Sequence, residues 1–462
     1  MTHRTIGVDA AVIGAGTAGA GAALQLARRG LSVVLIERRD ADDGGAQWHN
    51  GVLDWQFERA GLEPPSGPER FAANGITHIV GPDHTRATTV TSPTVTADMA
   101  LLGRRLRAGA TEHGVEIIDH ADHLSVEVID GRVRAVEVRP RARISGRTVE
   151  VVRVEAQLFV DASGRRGVLG QHSPALAKWS PTVRSAELCS AADFHLRITD
   201  PDGAKRFVER YGANPQETVT MVGPNGGYST RAITVGADLD HVRVLVGCLA
   251  NGRYGTGPRM LDELRLAEPW IGSAISGGFG VIPLRRPYAR FTAPGLALVG
   301  DAACQVFPAH GSGIGLGLIA GRILADTVAD CADPGDQSVL WGYQAAFQHE
   351  FGGLLLSSDV FRRMSTAIGS DGVSELVKSG LMTTSSAEAG LDQRWPRPAP
   401  SEAVTLAGRL ARVPGLARRI LPWLARAQLA GGLGARHPDE VDEVSLSRWD
   451  RRAERLLGPL PT

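Results

Sequence analysis

An α/β fold is predicted, with a Rossmann-type parallel sheet, an inserted β-sheet domain and a helical C-terminal region. Three observations predict it. A strand, a glycine-rich turn, a helix and a second strand fill the first forty residues. Two later apolar strands each end in an aspartate and a small-residue turn, and the chain beyond Leu318 follows a helical period. Residues 8–13 form a short apolar run of the kind that makes a strand buried on both faces. The run enters Gly14-Ala15-Gly16-Thr17-Ala18-Gly19, a helical stretch reaches about Gly30, and residues 31–37 read as a second buried strand ending in an acid. This is the dinucleotide-binding βαβ pattern in its proper context. Gly14 permits the tight turn, Gly16 lets backbone approach a pyrophosphate, and Gly19 lets helix and strand pack closely. The helix N-terminus, at Thr17 and Ala18, offers unpaired N–H groups and a positive dipole end. Glu37, 18 residues past Gly19, can accept hydrogen bonds from ribose hydroxyls, with Arg38 beside it.

Composition narrows the function classes. Lys+Arg and Asp+Glu both number 50 in 462 residues, so nucleic-acid binding driven by overall charge is excluded. Only three of the basic residues are lysines: Lys178, Lys205 and Lys378. Four scattered cysteines make no disulfide framework and have no zinc-ligand spacing, so no metal site is expected. No targeting segment precedes the first strand and no run of 18 apolar residues occurs, which reads as a cytoplasmic protein.

Residues 158–167 (LFVDASGRRG) form an apolar strand ending in Asp161. Residues 295–317 (GLALVGDAACQVFPAHGSGIGLG) form another, ending in Gly300-Asp301, followed by Pro308 and a glycine-rich turn that opens a helix. GxGxxG, then DASG, then GDAA…P…GxG, in this order, resembles the FAD-dependent superfamily of aromatic hydroxylases, geranylgeranyl reductases and flavin-dependent halogenases, over about residues 8–330. The resemblance implies FAD as cofactor. Asp161 and Asp301 would lie at the cofactor, Asp301 on a ribityl hydroxyl. Gly311, Ser312, Gly313 and Ile314 would present N–H groups to the flavin's pyrimidine edge, where a dipole end favours the charge of reduced flavin. It also implies an FAD-binding domain in two parts, 1–180 and 291–335, a substrate-binding sheet at 181–290 and a helical region at 336–462. No second GxGxxG unit follows, so NAD(P)H would bind transiently or a separate flavin reductase would deliver electrons.

The branch stays open. DASGRRG and Cys304 after GDAA are similar to halogenases, but Gly278-Phe279-Gly280-Val281-Ile282-Pro283 resembles only a degraded form of their GWxWxIP segment, without either tryptophan. No lysine precedes Lys178, which argues against halogenation, and arginine cannot replace a compact, deprotonatable amine. Gly226-Gly227-Tyr228 is similar to a stretch of geranylgeranyl reductases. The arginine of classical hydroxylases is Met99 here, beside Asp98. The first expectation is a monooxygenase using dioxygen through a flavin C4a-hydroperoxide on an electron-rich substrate, small or carrier- or protein-bound. The alternatives are reduction of prenyl-type double bonds, oxidation of tryptophan in a partner protein, and a non-enzymatic flavin-binding assembly protein.

The remaining elements follow in order. Residues 40–65 read as a loop with a short helix, placing Trp48 and His49 at a substrate pocket. Residues 99–114 read as a helix, and 116–138 as a hairpin about Asp130-Gly131. Residues 183–290 read mostly as strands and 393–400 as a proline-rich linker. Residues 401–437 read as a basic, leucine-rich docked helical pair rather than a membrane-contacting segment, interrupted at Pro414 and Pro422. His310 is the candidate for proton transfer near the flavin ring. Cys304 reads as a small buried neighbour of the cofactor, Arg165 and Arg166 as phosphate contacts or solvated residues, and Arg285 and Arg286 as a surface pair.

Overall fold

The computed structural model describes residues 2–72, 75–140 and 150–460. The strand Thr2–Ile13 lies between two parallel neighbours, Glu150–Asp161 and Val33–Ile36, paired from Thr2 opposite Glu150 to Ile13 opposite Asp161. Leu296–Leu298 continues the sheet beyond Glu150–Asp161, and Glu116–Ile118 beyond Val33–Ile36. The strands are apolar where the sheet is covered on both faces, at residues 10–13, 33–36 and 158–160. The helix Thr17–Ala27 packs against Ile314–Val328 and Met99–Glu112. Small residues set the first approach: a Cβ on Gly21 would fall 2.6 Å from Leu318, and one on Gly321 would fall 3.0 Å from Ala22. Asp98 caps the third of these helices by accepting from the N–H groups of Ala100 and Leu101. The hairpin forms as expected, with Asp130 and Gly131 both at positive φ, 50° and 75°.

The second sheet has seven strands in the order Ile271–Pro283, Leu188–Ile198, His241–Leu249, Ser229–Val235, Thr218–Val222, Ile76–Val80, Arg86–Thr91. The last two come from the stretch assigned to the nucleotide-binding part, Ile76–Val80 pairing in parallel with Thr218–Val222. Its two faces differ. Ala192, Leu196, Val242, Val244 and Val246 turn one way, into a core closed by the helices Pro201–Arg210 and Gly257–Ala267. The alternate residues line a cavity. A small sheet of His49–Leu53, Thr94–Asp98 and Arg70–Ala72 joins the two layers, so part of the expected loop at 40–65 is a strand. Its residues pair because His49 to Leu53 meet the full length of Thr94–Asp98.

The C-terminal region is helical, and its details correct two expectations. Pro422 sits inside the continuous helix Pro414–Gly431 rather than ending it. Both Pro422 and Arg418, whose carbonyl loses its partner, are exposed, so water satisfies that carbonyl. That helix docks on the long helix Gly353–Lys378 through Leu416, Ile420, Ala427 and Ala430, whereas Pro400–Ala411 buries no residue completely. Arg285 and Arg286 are buried rather than a surface pair, at 7% and 3% exposure. The guanidinium of Arg286 donates to Asp450 (2.5 Å) and Glu454 (2.8 Å) of the last helix, Glu443–Leu457, and its N–H donates to Asp359 (3.0 Å). Asp359 also accepts from Arg362 (2.8 Å) and Arg363 (3.2 Å), and Arg363 reaches Glu187 (3.2 Å). The forked, weakly hydrated guanidinium suits this buried network as an ammonium would not. No helix among the described residues is long and apolar enough to cross a membrane.

Candidate active site

The glycine turn is as tight as its sequence requires. Gly14 has φ +103°, and a Cβ there would fall 2.5 Å from the carbonyl oxygen of Ala162; one on Gly19 would fall 1.8 Å from that of Gly14. Gly16 caps Thr17–Ala27 without a side-chain hydrogen bond, leaving the first N–H groups of the helix open. Gly16, Thr17 and Ala18 line the cavity. Glu37, 7% exposed, accepts from the N–H groups of Ala15 (2.8 Å) and Arg39 (3.0 Å), holding the turn against the second strand. Arg38 beside it is exposed. Arg107, which the sequence reading missed, is buried and donates to the carbonyls of Ala15 (3.3 Å) and Gly44 (3.4 Å). A lone arginine at a core position of a helix is its only sequence signal.

The second half of the site comes from residues 296–314. Asp301 follows the strand Leu296–Leu298 and faces the cavity, where its carboxylate makes no hydrogen bond among the described residues. Burial pushes it up to about 6, with Arg165 pulling the other way. Gly300, Gly311, Ser312, Gly313 and Ile314 line the same space, and Pro308 is buried behind them. Gly313 begins the helix Ile314–Val328, again with no side-chain cap. Two uncapped helix N-termini, a cradle that a Cβ would fill and an unpartnered buried carboxylate fit a dinucleotide with a polyol chain. Asp161 differs from expectation. It is fully buried, and its oxygens accept from Ser163 N (3.1 Å), Ser163 Oγ (2.6 Å), Leu169 N (2.6 Å) and Gly170 N (3.1 Å). It shapes the turn behind Ala162 and Gly164, which do line the cavity.

Trp48 reaches the cavity, lying on the edge strand Ile271–Pro283: a Cβ on Gly278 would fall 2.6 Å from its indole. His49 does not line the cavity itself; it packs behind two residues that do. Its Nε2 lies 3.8 Å from Asp98, and its ring stacks 4.2 Å from Phe71 and 4.6 Å from His195. His310 lines the cavity, and its Nε2–H donates to the carbonyl of Gly390 (3.2 Å). Desolvation by the surrounding protein pushes it down to about 4, so the ring is neutral at pH 7. Cys304, 1% exposed, lies behind the cavity wall with its thiol pushed up to about 11 by burial, which removes thiolate chemistry. Arg165 and Arg166 are exposed.

The cavity has a volume of about 1480 Å³, beyond the roughly 300–1,000 Å³ of a single drug-sized ligand. It runs from the glycine turn along the seven-stranded sheet and under the C-terminal helices. The expected linker at 393–400 is part of its wall, through Gln393, Trp395 and Pro396. At its middle Cys189 and Tyr228 pack with Leu284 and Ile282, which a Cβ on Gly311 would touch. Burial pushes the Cys189 thiol up to about 12 and the Tyr228 phenol well above its ordinary value.

Residues 9–173 match the FAD dependent oxidoreductase family. The digeranylgeranylglycerophospholipid reductase of Sulfolobus acidocaldarius is 26% identical over 392 residues, 81% of this chain and 81% of that protein. One from Methanopyrus kandleri is 27% identical over 356 residues, 74% and 86% of the two chains. Among solved structures, a geranylgeranyl bacteriochlorophyll reductase-like protein of Thermoplasma acidophilum shares the fold with a TM-score of 0.68 at 18% identity, over 89% of this chain and 100% of that one. The myxobacterial chondrochloren halogenase CndH shares it with a TM-score of 0.57 at 16% identity, over 98% of both. With its glycine turn, Asp301 and two helix N-termini meeting at one cavity, the chain is an FAD-dependent oxidoreductase, similar in sequence to digeranylgeranylglycerophospholipid reductases and in fold to a flavin-dependent halogenase.

Proposed function

We propose that the protein reduces carbon–carbon double bonds in a long prenyl-type chain, the second of the readings left open by the sequence, in preference to oxygen insertion. The observation that carries this is the apolar chamber beyond the turn at 311–314, walled by Val222, Met364, Ile368, Val373, Leu410 and Leu424. An electron-rich aromatic ring needs no such depth, whereas a long hydrocarbon does. The activity named for the relatives, which cover about four-fifths of the chain, supports the same reading.

Bound FAD, once reduced by NAD(P)H or a separate reductase, supplies a hydride. The chain's own groups do the rest. The N-termini at Thr17 and Ile314 hold negative charge, and Asp301 orients the polyol. The C-terminal helices exclude water. A proton must reach the second alkene carbon, and Tyr228 Oη and Cys189 Sγ both retain theirs at neutral pH beside the flavin-edge turn. Tyr228→Phe is expected to slow turnover about a hundredfold with flavin content unchanged.

The test uses FAD-loaded protein reduced with dithionite without oxygen and offered geranylgeraniol, with products weighed by mass spectrometry. Gain of two hydrogens per double bond is the expected result. Oxygen incorporation, only in air and with NAD(P)H, would overturn it in favour of the monooxygenase.

A further inference from the structure

The end of the cavity remote from the flavin-edge turn is polar. His195 and Arg243 sit opposite each other on neighbouring strands, and Thr218 sits opposite both Thr234 and Thr77. All five side chains line the cavity. On the edge strand, His195 faces Ser276, whereas Ile282 touches the turn at Gly311. Six residues of strand separate them, about 20 Å. Trp48, lying on Gly278 and Gly280, sits between. An occupant spanning this distance is an amphiphile, polar at His195 and apolar beneath the C-terminal helices.

We infer that this polar end is a subsite for an uncharged, hydroxyl-bearing head group, so that the chain prefers a prenyl-type alcohol or polyol ether to a phospholipid. The inference rests on the reductase reading for its tail and departs from the phospholipid named for the relatives. Two observations carry it. First, His195 is 7% exposed and its Nε2 has no hydrogen-bond partner among the described residues. His195 thus stands at the cavity wall with an unsatisfied ring nitrogen, and a hydroxyl can both donate to and accept from an imidazole. Second, among the described residues no lining cation is left for a phosphate. Arg243 is held by Asp193 at 2.7 and 3.2 Å, by Thr96 Oγ1 at 3.0 Å and by the His49 carbonyl at 3.3 Å. Arg362 is paired with Asp359 and Arg394 with Asp392, while Asp238 also lines the cavity. Burial, with His49, Arg243 and His241 adding to it, pushes His195 down to about 4, so it brings no charge at neutral pH. A phosphate there would be desolvated among threonine hydroxyls without a free counter-ion, at high cost.

Equilibrium dialysis of the oxidised holoenzyme against geranylgeraniol and geranylgeranyl monophosphate tests this without requiring turnover. The alcohol is expected to bind at least about tenfold more tightly. His195→Leu should remove that margin, His195→Gln should retain it, and Asp193→Asn, which frees Arg243, should shift preference toward the phosphate. Flavin content and thermal melting establish that each variant is folded. Equal or tighter binding of the phosphate overturns the inference, as does an unchanged margin in folded His195→Leu or failure of both ligands to bind. Selective binding of the alcohol without double-bond reduction upholds the subsite and sinks the reductase reading instead.

Discussion

A Gly19→Ala protein is expected to purify without flavin. The added Cβ would sit 1.8 Å from the Gly14 carbonyl oxygen and 3.1 Å from Ala162 Cβ, both on strand-end backbone that the parallel sheet fixes. The helix Thr17–Ala27 must therefore move off the sheet, and it carries the open N–H groups of Gly16 to Ala18 with it. Overpacking of a tight site costs about 1–3 kcal/mol in stability, but the larger loss is in the pyrophosphate cradle, which depends on position to a fraction of an ångström. Gly7→Ala is the control: nothing lies within 4 Å of a Cβ there. The ratio of flavin absorbance to protein absorbance decides the matter, and a full complement of flavin in Gly19→Ala would sink the assignment of this turn.

The second large effect is expected at Asp359. Both it and the Arg362 side chain are wholly buried, and Asp359→Asn leaves the guanidinium groups of Arg362 and Arg363 facing each other around a neutral amide. Removing one partner of a buried ionic network costs about 3–5 kcal/mol, measurable as a fall in the urea midpoint. A loss under about 1 kcal/mol, ordinary for a surface change, would show that the network is not what joins the helices. The pH dependence has a definite sign. Burial pushes the Asp359 carboxyl up, but Arg362 and Arg363 outweigh it and leave it below its ordinary 3.8. Its contribution is thus present above that value and lost as pH falls through the folded-state pKa. The histidines act earlier. His195, His310 and His437 are held at about 4 by burial, against 6.5 in the unfolded chain. Below pH 6.5 the unfolded state takes up protons that the folded state refuses, so stability should decline steadily from about pH 6.5 to about pH 4. Thermal melts across that range check it. A flat profile would mean that these rings are hydrated in solution.

What the sequence made legible was local. The spacing of Gly14, Gly16, Gly19 and Glu37, the Asp301 turn with its following glycines, and Asp130-Gly131 are each contained within a few turns of chain, and the structure brings Gly16 and the Asp301 turn to one cavity. What it concealed depends on distant partners. Arg286 reads as solvated until the last helix supplies Asp450 and Glu454, 164 and 168 residues later. Asp161 and Asp301 look alike as strand-end acids, yet the first is enclosed by its own turn and the second faces open space. Strand Ile76–Val80 pairs with Thr218–Val222 through a parallel register that no local pattern announces. His195 and Asp193 did leave a signal. They alternate with Ala192, Phe194 and Leu196, so a strand with one buried face carries ionisable groups on the other, and that strand lies between two neighbours. Polar residues on the second face of an interior strand mark a lined cavity as readily as a solvated surface.

The sheet that carries the glycine turn also imposes a timetable on synthesis. Thr2–Ile13 waits for Glu150–Asp161, and that strand waits in turn for Leu296–Leu298 and the turn at 311–314. At roughly 5–20 residues per second, about 15–60 s pass on the ribosome before the two halves of the cofactor cradle can meet. Residues 9–173, the stretch that matches the flavin family, thus emerge as half a nest, with the edge at residues 159–161 open to any other strand. Free FAD can arrest that interval only after residue 314 has left the exit tunnel, which makes the cofactor a late clasp on this chain rather than a nucleus for its folding.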